Sequence, residues 1–382
     1  MSRGGLPEVL SVTADTAAVG RRSTLPAKRS GLALIALAGI LIAALGPLAI
    51  GNFYSFLFAQ ALSYGIVLLG LVVVVGLLGQ PSLMHAELMG LGAGVTATLV
   101  QVYHWDFWAA GLAAVVVGYL TGMVVGLPAL RIKGLALTLV TLAIARLFDQ
   151  LVLPSKVLAG SVVGRTISRP NLGPLSLDSD RAYYEVALGV FILMVVLVLT
   201  IRRGKLGRIF RAVRESELGA AASGVSLTRY KLLGFATSAA IASLGGVVAL
   251  GLTGSYSPAP YDWTRSLVLL AMLTIMGSAS VTGAALAATV IIVVPHFLRG
   301  FSNIVDQATQ LIAGGTLIIQ TIVSPRGLVP TVGAQVREGM EKRRTRGKGL
   351  GPPGEPGSIE EPATWETEVT QPTEVVSGRE KR

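Results

Sequence analysis

The pattern of apolar and polar positions divides most of the chain into long apolar segments joined by short polar connections. A helix of roughly 20 apolar residues spans a bilayer core of about 30 Å, and most of these segments approach that length. Continuous apolar runs of this kind predict transmembrane helices. The predicted spans are Gly31–Gly51, Tyr54–Gly79, Ser82–Tyr103, Phe107–Pro128, Gly134–Pro154, Tyr183–Ile201, Leu232–Leu252, Thr264–Gly277, Thr282–Leu298 and Ile304–Val323. The pattern therefore predicts an all-α integral membrane protein with about ten transmembrane helices.

Two of these segments are unusual. Ser82–Tyr103 is rich in glycine, and Thr264–Gly277 is too short to cross a bilayer upright. We expect the short segment to be tilted, re-entrant or part of a broken helix, since irregular backbone is tolerated at membrane depth only where protein or water surrounds it.

The composition supports a membrane protein. Apolar residues make up 52% of the chain and charged residues only 14%, whereas about a quarter of the residues in a soluble domain are charged. This balance excludes a soluble enzyme and a disordered protein. The net charge of +11 is also typical of nucleic-acid-binding proteins, but most of the positive charges lie where membrane orientation would place them, so no nucleic-acid partner is expected.

The distribution of Lys and Arg predicts the orientation. If residue 1 is cytoplasmic and there are ten spans, cytoplasmic segments carry 25 of the 32 basic residues and external loops carry 5. Short cytoplasmic loops are enriched in Lys and Arg, so this asymmetry predicts that both termini are cytoplasmic. We divide the chain into a basic cytoplasmic segment (1–30), a transmembrane domain (31–325) with a cytoplasmic loop at 202–231, and a cytoplasmic tail (326–382) whose end, rich in Pro, Gly and Glu, we expect to be disordered.

Few polar residues lie inside the predicted spans. Arg146 and Asp149 are three residues apart on one helix face, with Gln150 beside them. Charges in a membrane are costly unless they are paired or hydrated. Two interpretations follow: these residues line the path of a polar solute, or they form a structural ion pair between helices.

A second polar group lies where one predicted span turns into the next. It consists of Gln80, Ser82 and His85. These residues are expected either to cap the following helix or to lie near a gate in a translocation path.

Glycines recur at helical spacing in two spans, at Gly90 and Gly94 and at Gly118, Gly122 and Gly126. Small residues on one helix face allow two helix backbones to approach closely. The pattern indicates helix packing inside the chain or, alternatively, a face for a second subunit.

The cytoplasmic loop is the most informative stretch. Residues 207–225 predict one short amphipathic helix that ends near Gly224, because glycine is a common residue just beyond a helix C-terminus. Such a helix is expected either to dock onto a soluble partner or to rest on lipid headgroups. The chain has no phosphate-binding Gly-Lys-Ser/Thr loop and no cysteine, and its three histidines are far apart. We therefore predict no ATP hydrolysis by this chain and no bound cofactor or metal.

Five stretches carry a family resemblance: Ala61–Gly94, Gly126–Ala143, Gly207–Leu233, Ile275–Ala287 and Ser324–Val329. In this order they resemble the LivM-type permease subunit of branched-chain amino acid ABC importers. The resemblance implies that the cytoplasmic loop contains a coupling helix, whose contact with an ATPase would involve Arg211, Arg214, Glu215, Glu217, Ala220 and Gly224.

The resemblance also implies partners and a location. The partners would be two ATPase subunits that use ATP, a second, LivH-like permease subunit and an external solute-binding protein, all at the plasma (cell inner) membrane. The translocation path is then predicted to include Arg146, Asp149, Gln150, Gln80, Ser82 and His85.

Three other functions remain open at this point. Related importers transport other amino acids, urea, short amides or sugars. A secondary transporter driven by an ion gradient is the rival class, but the spans hold few acidic residues beyond Glu87 and Asp149 for ion coupling. A membrane-anchored scaffold would not need a polar patch inside a span.

Overall fold

The computed structural model describes residues 52–160, 164–172, 175–177 and 179–298. This part of the chain is mainly helical. Its α-helices are α1 (Asn52–Leu71), α2 (His85–Tyr103), α3 (Phe107–Gly126), α4 (Leu135–Leu147), α5 (Asp180–Arg203), α6 (Lys205–Glu215), α7 (Glu217–Ala222), α8 (Leu227–Thr253), α9 (Trp263–Met276) and α10 (Val281–Leu298).

Two of these helices continue into a wider turn. A π-helical segment, Val72–Leu77, extends α1, and a second one, Phe148–Val152, extends α4. Short 3-10 turns cover Pro128–Leu130 and Ala259–Tyr261.

The eight predicted spans from Tyr54 to Leu298 all coincide with helices. Within the described residues, five helical segments are long and apolar enough to cross a membrane: Phe53–Leu77, Phe107–Gly126, Leu135–Val152, Asp180–Arg203 and Leu227–Thr253. The region Trp263–Met276 is a shorter apolar helix, as its length predicted. The first and tenth predicted spans lie outside the described residues, so the count of ten stays a prediction.

Helix α8 lies at the centre of the bundle. It packs against α1, α2 and α3, and most of its residues are buried. Glycines make these contacts close, since a Cβ at Gly70 of α1 would lie 2.6 Å from the Ser238 carbonyl oxygen. Ser243 of α8 donates a hydrogen bond to the Leu88 carbonyl of α2 at 3.1 Å.

The glycine repeat of α3 packs on the same central helix. A Cβ at Gly122 would lie 2.5 Å from the Ala239 Cβ and 2.7 Å from the Phe235 carbonyl oxygen, while Gly118 and Gly126 also lie against α8. The repeat therefore serves packing inside the chain. The opposite side of α3 is exposed and apolar, and so is one side of α5; these sides carry Leu112, Val116, Leu120 and Val124, and Leu193, Val196 and Leu197, respectively.

Four two-residue strands lie among the described helices. Strand β1 (Arg165–Thr166) pairs antiparallel with β4 (Ser255–Tyr256), and β2 (Asn171–Leu172) pairs antiparallel with β3 (Leu175–Ser176). Strands β1, β2 and β3 lie between α4 and α5, and β4 lies between α8 and α9. We call the end of the bundle that carries α6, α7 and Lys133 the basic end.

Arg165 holds the connection that contains β1. Its side chain is almost wholly buried. The guanidinium donates to the Leu158 carbonyl at 2.8 Å, the Gln101 side-chain oxygen at 2.8 Å and the Val157 carbonyl at 3.0 Å. Hydrogen bonds from a charged donor are stronger than neutral ones, so Arg165 fixes this loop against the end of α2.

Replacing Gly122 with Ala is expected to destabilise the bundle. The new Cβ would overlap α8 backbone and side-chain atoms, and overpacking of this kind costs about 1–3 kcal/mol. The matched control is Gly189→Ala in α5, where nothing lies within 4 Å of the added Cβ. Thermal unfolding of the detergent-purified protein should give a lower Tm for Gly122→Ala only. Equal Tm values for both variants would contradict the close packing of α3 on α8.

Candidate coupling surface and translocation path

The loop at 202–231 contains two helices, not the single amphipathic helix that the sequence predicted. Helix α6 ends at Glu215 and α7 begins at Glu217, with Ser216 extended between them (φ −156°, ψ 109°). The Ser216 hydroxyl accepts a hydrogen bond from the Gly219 N–H at 3.0 Å. Serine is a preferred N-cap because its side chain satisfies a free amide of the first turn, so Ser216 starts a new helix.

The end of α7 agrees with the sequence. Gly224 has a positive φ of 80°, a conformation that glycine adopts without steric cost. Its N–H donates to the Ala221 carbonyl at 3.0 Å, and the Val225 N–H donates to the Ala220 carbonyl at 3.0 Å. Gly224 is therefore the structural stop of the loop helix.

One side of the α6–α7 pair is buried against the bundle. Phe210 and Val213 of α6 and Ala220 of α7 are buried. The other side faces outward and carries Arg211 and Glu215, together with Leu218, whose side chain is 84% exposed. We call this outward side the coupling surface.

Glu217 points into the chain. One carboxylate oxygen lies 2.7 Å from Lys133 Nζ, and the other lies 2.8 Å from Lys231 Nζ. The Gln80 side-chain amide also donates to this carboxylate, at 3.3 Å. These four residues form the Glu217 cluster, which joins α7 to α8 and to the connections that precede α2 and α4.

Lys231 is the buried member of the cluster. Its side chain is only 1% exposed, and Nζ also donates to the Ala129 carbonyl at 2.8 Å. A buried cation is tolerated only when it is paired and hydrogen-bonded. Glu217 supplies the negative charge that compensates Lys231, and this requirement fixes the position of the Glu217 side chain.

Electrostatics keep the Glu217 carboxyl ionised. Burial alone would raise the pKa of this group, but hydrogen bonds from Lys133 and Lys231 outweigh burial and hold the pKa below its ordinary value. A lowered pKa contributes stability above the ordinary carboxyl pKa, and this contribution is lost as the pH falls through the lowered value. The stabilising contribution of the Glu217 carboxylate is therefore complete at neutral pH and is lost in acid.

Arg214 makes a second connection between the loop and the bundle. Its guanidinium donates to the Gly76 carbonyl in the π-helical end of α1, and its aliphatic stem lies against Gly79. Gly79 has a φ of 74°, so both its backbone and its missing side chain suit this contact. Arg214 and Glu217 thus attach the coupling surface to the region around Gln80.

The predicted Arg146–Asp149 pair is present on α4 and its π-helical extension. The Arg146 guanidinium lies 3.7 Å from the Asp149 carboxylate and 4.4 Å from the centre of the Trp263 ring. The Arg146 side chain is still 48% exposed, and Gln150 is exposed beside it. Unlike the apolar outer faces of α3 and α5, this face of α4 does not suit contact with lipid hydrocarbon.

The predicted group around His85 is divided between two sites. Gln80 belongs to the Glu217 cluster, while His85 Nε2 lies 2.7 Å from the Ser238 hydroxyl. Ser238 in turn donates to the Gly70 carbonyl at 2.7 Å, so its oxygen must accept from a protonated Nε2. Ser82 is also buried, and α2 begins without a side-chain cap on Met84.

Glu87 is a buried polar residue that the sequence analysis did not place in the path. Its side chain is completely buried in the first turn of α2, where it accepts a hydrogen bond from Ser266 of α9 at 2.6 Å. The local signal was an acidic residue in an apolar helix. The partner that defines its environment is 179 positions away, and no local pattern identifies it.

A cavity of about 540 Å³ lies between α3, α5 and α8. Most of its lining is apolar and includes Phe107, Trp108 and Val247. It does not include Arg146, Asp149 or the residues around His85, so it is separate from the polar groups described above.

Comparison with known proteins identifies the family. Residues 53–321 match the family model described as the branched-chain amino acid transport system / permease component. The chain belongs to this permease family. The match covers nearly all of the described helices and includes both the coupling surface and the Arg146–Asp149 pair.

Two curated relatives support the assignment. The chain is 30% identical over 298 residues to the high-affinity branched-chain amino acid transport system permease protein LivM of Salmonella typhimurium, covering 72% of this chain and 69% of the relative. It is also 30% identical over 302 residues to the protein of the same name from Escherichia coli, with the same coverage. No solved structure gives a significant match.

The LivM-type resemblance is therefore confirmed. This permease is a membrane-embedded subunit of an ABC importer, and it works together with other transporter subunits. Its relatives are transport components.

The Glu217→Gln variant is expected to be destabilised far more than the Lys133→Gln variant. Glu217→Gln leaves Lys231 buried without a counter-charge, which costs about 3 kcal/mol. Lys133 is 59% exposed, and an exposed ion pair contributes about 1 kcal/mol or less. Thermal unfolding of both purified variants measures the difference. Similar Tm losses would show that Lys231 does not depend on Glu217.

Proposed function

We propose that this permease forms one half of the transmembrane pathway of an ATP-driven importer for branched-chain amino acids, located in the plasma membrane. The substrate class is supported by the names of the two relatives. The chain would cross the membrane ten times with both termini in the cytoplasm, as the asymmetry of basic residues favours. The domain limits 1–30, 31–325 and 326–382 belong to the same proposal.

The observation that carries this proposal is the coupling surface. A helix pair at the basic end is fixed to the bundle on one side and presents Arg211, Glu215 and the exposed Leu218 on the other. An exposed leucine among charged residues suits docking to a protein, since the apolar group supplies burial and the charges fix orientation. We assign this surface to one of two ATPase subunits, which would bind and hydrolyse ATP.

The inner side of the same helix pair would transmit movement. Arg214 connects it to the end of α1, and Glu217 connects it to α8 and to the residues before α2 and α4. A displacement of α7 by an ATPase would therefore act on several membrane helices at once. In this role Glu217, Arg214, Ala220 and Gly224 position the coupling surface, and Arg211 and Glu215 contact the partner.

The polar face of α4 would line the translocation path. Arg146, Asp149 and Gln150 are unsuited to lipid, so we place a second, LivH-like permease subunit opposite them, with the path between the two subunits. Gln80, Ser82 and His85 would lie along the same path near its cytoplasmic gate. An external solute-binding protein would dock at the end opposite the basic end, where Arg165 stabilises the connecting loop.

Transport can be tested in cells that lack their own branched-chain amino acid importers. Expression of this permease with its partner subunits is expected to give saturable uptake of radiolabelled leucine that stops when cellular ATP is depleted. Uptake that persists without ATP and requires an ion gradient would contradict the proposal. Uptake of urea or a sugar in place of leucine would retain the importer and replace the substrate.

Leu218→Asp is expected to remove the ATPase subunits from the complex. The change places a charge at the centre of the coupling surface and leaves the fold intact, since the side chain is exposed. Loss of a central apolar anchor typically costs about 2 kcal/mol or more, which is enough to separate a complex during purification. The measurement is the amount of ATPase that copurifies with the tagged permease in mild detergent.

The control is Val157→Asp, the same type of change at a residue that is 69% exposed on the loop that Arg165 holds. This variant should retain wild-type amounts of ATPase. If Leu218→Asp also retains them, α7 does not form the ATPase contact.

A further inference from the structure

The Glu87 carboxyl is an incompletely paired group in the interior of the bundle. Its side chain is completely buried. Oε2 accepts a hydrogen bond from Ser266 at 2.6 Å, whereas Oε1 has no hydrogen-bond partner among the described residues. A buried carboxyl oxygen without a partner is costly, so the unpaired oxygen needs an explanation.

Ser266 cannot supply a second hydrogen bond. Its hydroxyl carries one hydrogen, which it donates to Glu87, and its oxygen already accepts from the Ala86 N–H at 2.8 Å. The Leu83 N–H, which lies just before α2, is also used, since it donates to Thr141 at 3.2 Å. No hydrogen-bond donor of the described residues is placed on Oε1.

Among the described residues, no Lys or Arg forms an ion pair with Glu87. Arg146 is paired with Asp149 and stacked on Trp263. A ligand that brings positive charge and several hydrogen-bond donors would satisfy the unpaired oxygen, and a primary ammonium group has these properties.

We propose that the Glu87 carboxylate, oriented by Ser266, binds the ammonium group of the transported solute inside the membrane. The inference rests on the proposed function for the passage of a solute along α2 and α4, and it names the chemical group by which this subunit recognises it. In this arrangement the ammonium group contacts Glu87 on α2, and the apolar side chain of the solute contacts the surrounding helices.

The position of α4 explains how the solute would reach Glu87. Thr141 of α4 contacts the chain just before α2, and Leu153, which follows its π-helical extension, packs against Gly90. These contacts flank Glu87 on both sides, while only three of the 13 residues of α4 are buried within this chain. Moving α4 away from α2 would open the site at the cost of few buried contacts, which is what alternating access requires.

The first test measures ligand-dependent stability of the complete importer, purified in detergent. Isopentylamine is the probe because it has the carbon skeleton of leucine's side chain and an ammonium group but no carboxylate. At millimolar concentration it should raise the Tm of the wild type and not that of Glu87→Gln, an isosteric variant without charge. The deaminated analogue 4-methyl-2-oxopentanoate should shift neither protein.

The second test measures transport by the same complexes in proteoliposomes that contain the binding protein. Loss of a charge-assisted hydrogen bond to the solute should lower the maximal rate of leucine uptake about tenfold in Glu87→Gln. Glu87→Asp should retain more uptake than Glu87→Gln because it retains the charge. The matched control is Glu185→Gln, at an exposed position of α5.

The outcomes separate this inference from the proposed function. If isopentylamine stabilises the wild type and Glu87→Gln equally, or if Glu87→Gln transports leucine at the wild-type rate, Glu87 is only a buried structural group. If the wild type does not transport leucine but the amine shift still requires Glu87, the ammonium site stands and the branched-chain substrate is wrong. If isopentylamine shifts neither protein, the site is wrong whether or not leucine is transported.

Discussion

The pairing of Lys231 with Glu217 is the interaction on which the basic end of the bundle depends. Lys231 is a cation on the first turns of the central helix, where it is shielded from water. Because this buried charge needs a counter-charge, the loop that carries Glu217 must fold so that the Glu217 carboxylate reaches Lys231. The two short helices of the loop, their capping serine and their terminal glycine are consistent with that requirement. The outward side of the loop is then left for a partner.

The same constraint makes the coupling surface a part of the bundle rather than an appendage. Lys133 and Gln80 contact the same carboxylate, and both belong to connections that lead into membrane helices. A partner that moves the loop must either carry these connections with it or break a buried ion pair. Breaking the pair is strongly destabilising, so movement of the loop together with these connections requires less free energy.

The positions of the helices could be predicted because each depends on a continuous run of apolar residues. The observed bounds of α3, Phe107–Gly126, differ from the prediction by two residues at one end only. Long-range contacts could not be predicted in this way. Glu217 looked like a surface charge because its neighbours in sequence are charged, and Lys231 and Gln80 are distant in the chain. Glu87 was not placed in the predicted path, because its partner Ser266 is distant in sequence and only the fold brings the two together. The division of the loop at Ser216 was within reach of the sequence, because serine is a strong N-cap, but the amphipathic pattern of α6 hid it.

The wide turn at the end of α1 has a consequence for hydrogen bonding. In an α-helix each carbonyl accepts from the amide four residues later. Here the Val73 carbonyl accepts from Leu78 at 3.1 Å and the Val74 carbonyl from Gln80 at 2.9 Å, five and six residues later, so the helical ladder runs out before Gly76. The oxygen of Gly76 is thereby left to a side chain, and Arg214 takes it. An irregularity in one membrane helix thus creates the acceptor by which a loop more than a hundred residues away is attached, and any change that restored regular α-helical bonding there would compete directly with that attachment.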